Sequence, residues 1–379
     1  MKVLIAGDFC PRYRVAEKFE KSDYESVLGD VKEIISDTDY SIVNFECPVT
    51  KGGEKPIEKC GPNLQCSEKG LEAVKWAGFD CVTLANNHFL DYGKEGVEHT
   101  LEVCEKYGVD TVGGGMNLHE ASKILYKEIE DKTLAIINCC EHEFSIATEE
   151  TAGSNPLNPI QQYYDIKEAR MKADYVLVIV HGGHEHYQLP SPRMQETYRF
   201  FVDAGADAVV NHHQHCYSGY EIYKGKPIFY GLGNFCFDQP DKRNDIWNEG
   251  LMITIHFKEK NIKAEYIPYA QCNNSPQISF TEELENSVES NLVNLNTIIC
   301  DTNKLRFHLN MFAEQQSRNY KYLFSPWSNR YLIALFNRDF LPMLTSYKKL
   351  KYLYNCLACE SHYNILAHLL NNTLRSRFK

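Results

Sequence analysis

Short apolar runs recur along the first 270 residues, each closed by turn-forming or polar residues. Lys2–Ala6, Ser41–Phe45, Cys81–Ala85, Tyr175–Val180 and Ala208–Val210 are too short for helices and read as buried strands. Thr111–Gly115 and Lys132–Cys140 add two more strands. Tyr220–Tyr223 with Pro227–Tyr230, and Leu251–Phe257 with Ile262–Tyr269, read as hairpins around Lys224–Lys226 and Lys258–Asn261. Between the strands the apolar spacing becomes helical. Ser26–Ser36 carries Val27, Val31, Ile34 and Ile35 on one stripe, and Glu95–Tyr107 carries Val97, Leu101, Val103 and Cys104. Ser67–Ala77, Asp165–Ala173 and Met194–Ala204 complete the set; Ser67 is placed to cap the first and Gly205 to end the last. Strands alternating with helices predict an α/β domain. Residues 50–66 and 141–163 are long polar connections, the kind that cover functional sites.

Near residue 276 the pattern changes. After Thr281, Leu284, Val288, Leu292, Leu295 and Ile299 recur at helical spacing, and 331–336, 343–357 and 361–374 also read as helices. The expected division is a metal-binding domain over 1–275 and a helical region over 276–379. Charge follows it. Residues 301–379 hold twelve Lys or Arg against four Asp or Glu, so +8, which leaves −19 for residues 1–300 of a chain at −11 overall. An acidic chain of this kind is not a general nucleic-acid binder. The basic tail is suited to packing on the acidic domain or to an anionic partner.

The strand ends hold the chemistry. The first run ends in Gly7-Asp8, the second in Glu46-Cys47-Pro48 and the third in Asn86-Asn87-His88. The Tyr175 strand ends in His181-Gly182-Gly183-His184-Glu185-His186, and the Ala208 strand in His212, His213 and His215. Open α/β sheets keep their sites at such strand ends. Five of them supplying carboxylate, amide and imidazole predict a metal site. His213 and His215, two apart on extended backbone, would leave on the same side. A binuclear hydrolase needs a bridging carboxylate and further mixed ligands; the chain offers Asp8, Glu46, Asn87, His181, His213 and His215. His88 then alternates away from the ions as a proton donor, with Asp91 three residues on to orient it and raise its pKa. Arg12 and Arg14 are placed to reach an anionic substrate. The mixed oxygen and nitrogen ligands suit one or two divalent ions, Mn, Fe or Zn.

Taken in order, Gly7-Asp8, Asn44–Pro48, Ala85–His88, His181–Glu185, Gly205–Asp207, His213–His215 and Gly231–Phe235 resemble the signatures of the bacterial capsule-synthesis CapA family. That family includes the poly-γ-glutamate synthesis protein and is a branch of the calcineurin-like metallophosphatases. The resemblance covers about residues 1–270. It implies a four-layer αββα sandwich, two mixed sheets flanked by helices, with the metals at strand ends. It also implies work on an extracellular polymer. His184, Glu185 and Asn234, within the matched motifs, join Arg12 and Arg14 as expected substrate contacts. The departures are specific. Cys10 stands where the general metallophosphatase pattern has a His, which His184 or His186 would have to replace. Glu46 stands for its second Asp, Tyr13 for an Arg common in the branch, Gly182 for a Trp and Gln214 for a Pro.

The fourteen cysteines are scattered, several within strands, as small apolar residues rather than a disulfide framework. Cys356 and Cys359 form a lone Cys-x-x-Cys, read as a helix face. No apolar run approaches the length of a membrane span, and the N-terminus enters a strand at once, without the features of a signal peptide. The expected location is the cytoplasm, extending to peripheral attachment at the inner membrane face. The leading expectation is a metal-dependent hydrolase acting on a phosphorylated substrate or an anionic polymer of a capsule pathway. The alternative is a non-catalytic metal-binding component of a capsule-synthesis complex.

Overall fold

The computed structural model describes residues 1–258, 261–317, 320 and 322–377. The first sheet is built on β1 (Lys2–Phe9), β2 (Tyr40–Phe45), β3 (Cys81–Thr83) and β4 (Asp110–Val112), all parallel. Their crossovers are α1 (Tyr13–Glu20) with α2 (Glu25–Ser36), α3 (Glu68–Ala77) and α4 (Gly93–Tyr107). A two-stranded ladder, β5 (Gly114–Gly115) with β8 (Gly153–Ser154), stands apart, and α5 (Leu118–Ala121) follows β5. The second sheet has the order β11-β12-β10-β9-β7-β6. Its strands are β6 (Leu125–Ile129), β7 (Lys132–Cys140), β9 (Tyr175–His181), β10 (Ala208–His212), β11 (Tyr220–Tyr223) and β12 (Lys226–Phe229), with α6 (Pro159–Lys172) and α7 (Pro192–Ala204) as crossovers. The chain then returns to the first sheet. There β13 (Asn234–Cys236) pairs parallel to the end of β1, and β14 (Glu249–His256) and β15 (Lys263–Ala270) close the edge antiparallel.

Alternation along the strands makes the layers. Val3 and Ile5 of β1, with Ile42 of β2, share one apolar cluster with Ile136, Val178 and Val209 of the second sheet. Leu4 and Ala6, with Val43, turn to a second cluster containing Val15, Val27, Val31, Leu71, Val74 and Val97 from α1–α4. Ile166 of α6 and Phe201 of α7 belong to the first cluster, on the far side of the second sheet. The result is helices, sheet, sheet, helices: the four-layer sandwich that the motifs implied. Among the described residues, no helix is long and apolar enough to cross a membrane.

Several expectations shift. The strand expected over Thr111–Gly115 is broken by Gly113, at φ 88°, into β4 and β5. The helix expected from Asp165 starts at Pro159, capped by Asn158. Ser67 caps α3, and Gly205 ends α7, as expected. Part of the expected turn at Lys258–Asn261 lies outside the described residues.

The domain boundary also moves. The compact unit carrying the sandwich runs to Arg306, and a second runs from Phe307 to Lys379. The helix after Thr281, α8 (Glu282–Ile299), belongs to the first because its apolar stripe is covered there: Val288, Leu292, Leu295 and Ile299 join the core. Asn296 Oδ1 accepts from Tyr220 N at 2.7 Å. α9 (Thr302–Gln315) spans the division. The second unit contains α10 (Arg330–Phe336), α11 (Tyr347–Ala358) and α12 (Glu360–Arg377), with Ser346 capping α11.

One close approach holds the site's first strand. Asp8 N donates to Gly233 O at 3.0 Å, and a Cβ on Gly7 would stand 2.0 Å from that carbonyl oxygen. Backbone meets backbone here, so no side chain can swing away. Gly7→Ala is expected to lower unfolding free energy by about 3 kcal/mol. A urea melt indistinguishable from the wild type would refute this packing.

Candidate metal centre

Six strand-end residues converge. Asp8 sits in β1, Glu46 follows β2, Asn87 follows β3, His181 ends β9, and His213 and His215 follow β10. All six are buried. The strand alternation expected to bring His213 and His215 together does not operate, because β10 stops at His212. Both take left-handed backbone, φ 94° and 55°, which brings their rings 6.2 Å apart. Such backbone costs energy at a non-glycine residue and clusters at functional sites.

Ligand atoms form two overlapping triads: Glu46, His181 and His213, and Asp8, Glu46 and His215, with the atoms of each within 4.8 Å of one another. Glu46 belongs to both, as a carboxylate between two cations must. His181 Nε2 lies 3.1 Å from Asn87 Oδ1, 3.1 Å from His213 Nδ1 and 3.8 Å from Glu46 Oε1. His215 Nε2 lies 3.7 Å from Glu46 Oε1.

Neighbouring side chains aim these atoms. Asn44 Nδ2 donates to Asp8 Oδ1 at 2.8 Å, while its own oxygen accepts from Thr83. Asn87 Nδ2 donates to Glu143 Oε2 at 2.7 Å, turning Oδ1 inward. Asn234 Nδ2 donates to the carbonyls of His215 and Trp247, so its Oδ1 accepts from His215 Nδ1 at 2.9 Å. That leaves His215 Nε2 bare, as a ligand atom must be.

Electrostatics make the same demand. Both Glu46 carboxylate oxygens are buried without a hydrogen-bond partner. Burial, then the fields of Asp8, Cys10 and Glu185, push Glu46 well above the usual carboxylate range. Burial opposes ionisation of Asp8 too, but the His212 contact and the fields of His212, His181 and His215 outweigh it and hold Asp8 low. Burial pushes His215 down to about 4 and His181 well below its ordinary value. Neutral imidazoles beside a carboxylate with no donors fit cations: the donor set matches a mixed oxygen and nitrogen site for divalent ions.

His88 stands outside both triads. Its Nδ1 lies 2.6 Å from Asp91 Oδ2 and 3.1 Å from Lys59 Nζ. The shorter contact fixes Nδ1–H as the donor to Asp91. The side chain of Lys59, from the 50–66 connection, is buried and pairs with Asp91. The expected rise in His88 pKa is therefore not found. Burial lowers it, and the lysine's field adds to that against the pull of Asp91. Asp91 also accepts from Leu64 N at 2.7 Å, so it ties the connection down beside His88.

The expected substrate residues separate. Arg12 lines a cavity of about 240 Å³ together with His88, Glu185, His215, Lys242 and Trp247. Arg14 does not line it. Its guanidinium clamps buried Asp238 at 3.0 and 2.9 Å and donates to the carbonyls of residues 272–274. Asn234 is also turned from substrate to positioning His215. Glu185 faces the centre: burial opposes its charge, but His215, His213, His186 and His88 hold its pKa below the usual value. His184 packs edge-on against Tyr187 and joins neither triad, and nor does His186.

A sequence profile of the bacterial capsule synthesis protein PGA_cap matches residues 2–239. The chain belongs to this family. It is 34% identical over 267 residues to the capsule biosynthesis protein CapA of Bacillus anthracis, covering 68% of this chain and 64% of that protein. It is 33% identical over 261 residues to the PGA biosynthesis protein CapA of Bacillus subtilis (strain 168), covering 67% of each. The match thus spans about two thirds of these relatives. Among solved structures, a phosphatase of Mycoplasma pneumoniae is 16% identical with TM-score 0.45, over 77% of this chain and 98% of that one.

In this PGA_cap chain Cys10 is buried and contributes to neither triad. Four residues near the centre had no role in the sequence reading. His212 is buried with Nδ1 3.4 Å from Asp8 Oδ1; it was visible in the His212-His213 pair. Glu143 and Lys59 come from the two long connections, whose length was the only signal. Trp247 packs 4.6 Å from the His215 ring, ring centre to ring centre, and nothing local announces it.

Proposed function

We propose that this PGA_cap chain is a metal-dependent hydrolase that acts on an anionic polymer or its phosphorylated precursor during the synthesis of a capsular polysaccharide or poly-γ-glutamate. One observation carries the reading: the buried Glu46 carboxylate, without hydrogen-bond donors, is shared by two ligand triads beside a cavity that His88 lines. A structural site needs no open wall.

Asp8, Glu46 and His215 would hold one ion, and Glu46, His181 and His213 the other, with Asn87 Oδ1 beside the second. Mn, Fe or Zn suits these donors. Bound there, divalent ions polarise a substrate oxygen and bring the pKa of water close to neutral. The chain's residues do the rest. Asp91 fixes the His88 ring through Nδ1–H, which leaves the Nε2 lone pair on the cavity side to take up a proton and hand it on. Pro62 and Leu64 wall the cavity, and Trp247 backs it.

The test is a panel. Metal-replete protein is assayed by elemental analysis, then on phosphomonoester, phosphodiester and γ-glutamyl amide substrates. The expected result is bound transition metal and turnover of one class, abolished by chelation. Protein without metal overturns the whole reading. Metal without turnover replaces hydrolysis with the assembly role in a capsule-synthesis complex.

A further inference from the structure

Four cations gather where the end of β1 meets the segment after β13: Arg12, Arg14, Lys242 and Arg243. One buried carboxylate, Asp238, takes two of them. Arg14 clamps both its oxygens, and Arg243 Nη2 donates to Oδ1 at 2.6 Å. Arg12 and Lys242 are left over, and they line the cavity that opens onto His88 and His215. Arg12 is held by neutral groups. Nη1 donates to Gln239 Oε1 and Nη2 to Tyr13 Oη, both at 3.2 Å. Its guanidinium stands 4.9 Å from the Tyr13 ring centre and 5.9 Å from that of Phe237. Lys242 forms no ion pair among the described residues. The nearby Asp241 accepts a hydrogen bond from Gln239 Nε2 at 2.6 Å. Glu185 lines the same cavity, and among the described residues it forms no ion pair with Arg12 or Lys242.

Cations beside a metal centre repel the ions unless something anionic lies between. Here the guanidinium is oriented in advance by two rings and two neutral acceptors, which reduces the ordering cost of binding. Planar fork and point charge then stand on one cavity wall, aimed at a ligand that brings its own negative charge. We propose that Arg12 and Lys242 form an anion subsite that seats a carboxylate or phosphate group of the substrate next to the group being cleaved. Arg14, its sequence neighbour, has no part in it. The proposal rests on the hydrolase reading for the word substrate; the binding itself does not require turnover.

Calorimetry on the metal-loaded full chain at low ionic strength tests it. The probes are a γ-linked glutamate oligomer, its neutral methyl ester and inorganic phosphate. The oligomer is expected to bind, and the ester at least about tenfold more weakly. Arg12→Gln and Lys242→Gln should each weaken oligomer binding about three- to tenfold, and added salt should do the same. Lys224→Gln removes the same charge from the hairpin turn of the second sheet and should change nothing. The proposal falls if the double variant binds like the wild type, if the ester binds like the acid, or if Lys224→Gln weakens binding equally. Phosphate binding that needs Arg12 and Lys242, without oligomer binding, keeps the subsite and overturns the polymer as its ligand. Oligomer binding that behaves as expected in a protein with no turnover keeps the subsite and overturns hydrolysis alone.

Discussion

Glu46→Gln is expected to remove metal from both positions at once. Every other ligand in the two triads serves one position; Glu46 alone serves both. An amide keeps the volume and presents one neutral oxygen where two charged ones stood. Elemental analysis should fall from near-stoichiometric metal to background, whereas His215→Ala should retain part of it. The variant has a second signature that needs no assay of activity. In the chelated wild type, Glu46 has no donor for either oxygen, and burying such a group is costly. The glutamine relieves part of that cost, so the chelated variant should melt no lower than the chelated wild type. Adding metal should then raise the wild-type Tm by several degrees, by about 2.7 kcal/mol of linkage at a hundredfold excess over Kd, and leave the variant almost unmoved. A variant that retains both metals, or gains as much Tm from them, would show that Glu46 does not join the two positions.

His88→Asn should leave the metals in place and slow turnover by about 10²–10⁴. The geometry separates the two effects. His88 belongs to neither triad, and its ring is fixed by Asp91 on one side while lining the cavity on the other. Asparagine removes the nitrogen that takes up and passes on a proton on the cavity side. The loss should be smallest for substrates with good leaving groups, which need least help from a proton. Lys59→Met provides the contrast. It deletes the buried charge beside Asp91 and His88 Nδ1 but leaves the imidazole itself in place, so a turnover defect there should be smaller and should be partly restored in Lys59→Arg. If His88→Asn strips the metals as thoroughly as His215→Ala, His88 is a ligand and the division of roles is wrong.

Much of the sandwich was legible because its strands are buried on both faces. Runs such as Val176–Val180 cannot be mistaken for surface, and each stops at the residue that carries chemistry. The six ligand candidates were legible for the same reason: strand ends are local. What failed depended on distant neighbours. Arg12 and Arg14 are equivalent in the sequence, and only Asp238, more than 220 residues away, separates them. The His88 pKa was misjudged because burial, which no local pattern shows, outweighs Asp91, and Lys59, 29 residues upstream in a connection without periodicity, adds its field. α1 was missed because it begins two residues after Pro11, inside a stretch read for its arginines. The domain boundary was misplaced because the stripe on α8 announces a covered face without saying what covers it.

The two triads draw on separate sheets. Asp8 and Glu46 stand on one, and His181, His213 and His215 follow strands of the other; the Asn234 that steadies His215 belongs to the first again. No single strand with its following turn contains either triad. During synthesis, therefore, the growing polypeptide cannot complete either triad until His213 or His215 has emerged and the sheets have docked. On the proposed reading, selection would wait for a finished cage, where size and donor geometry decide among competitors that raw affinity would rank differently.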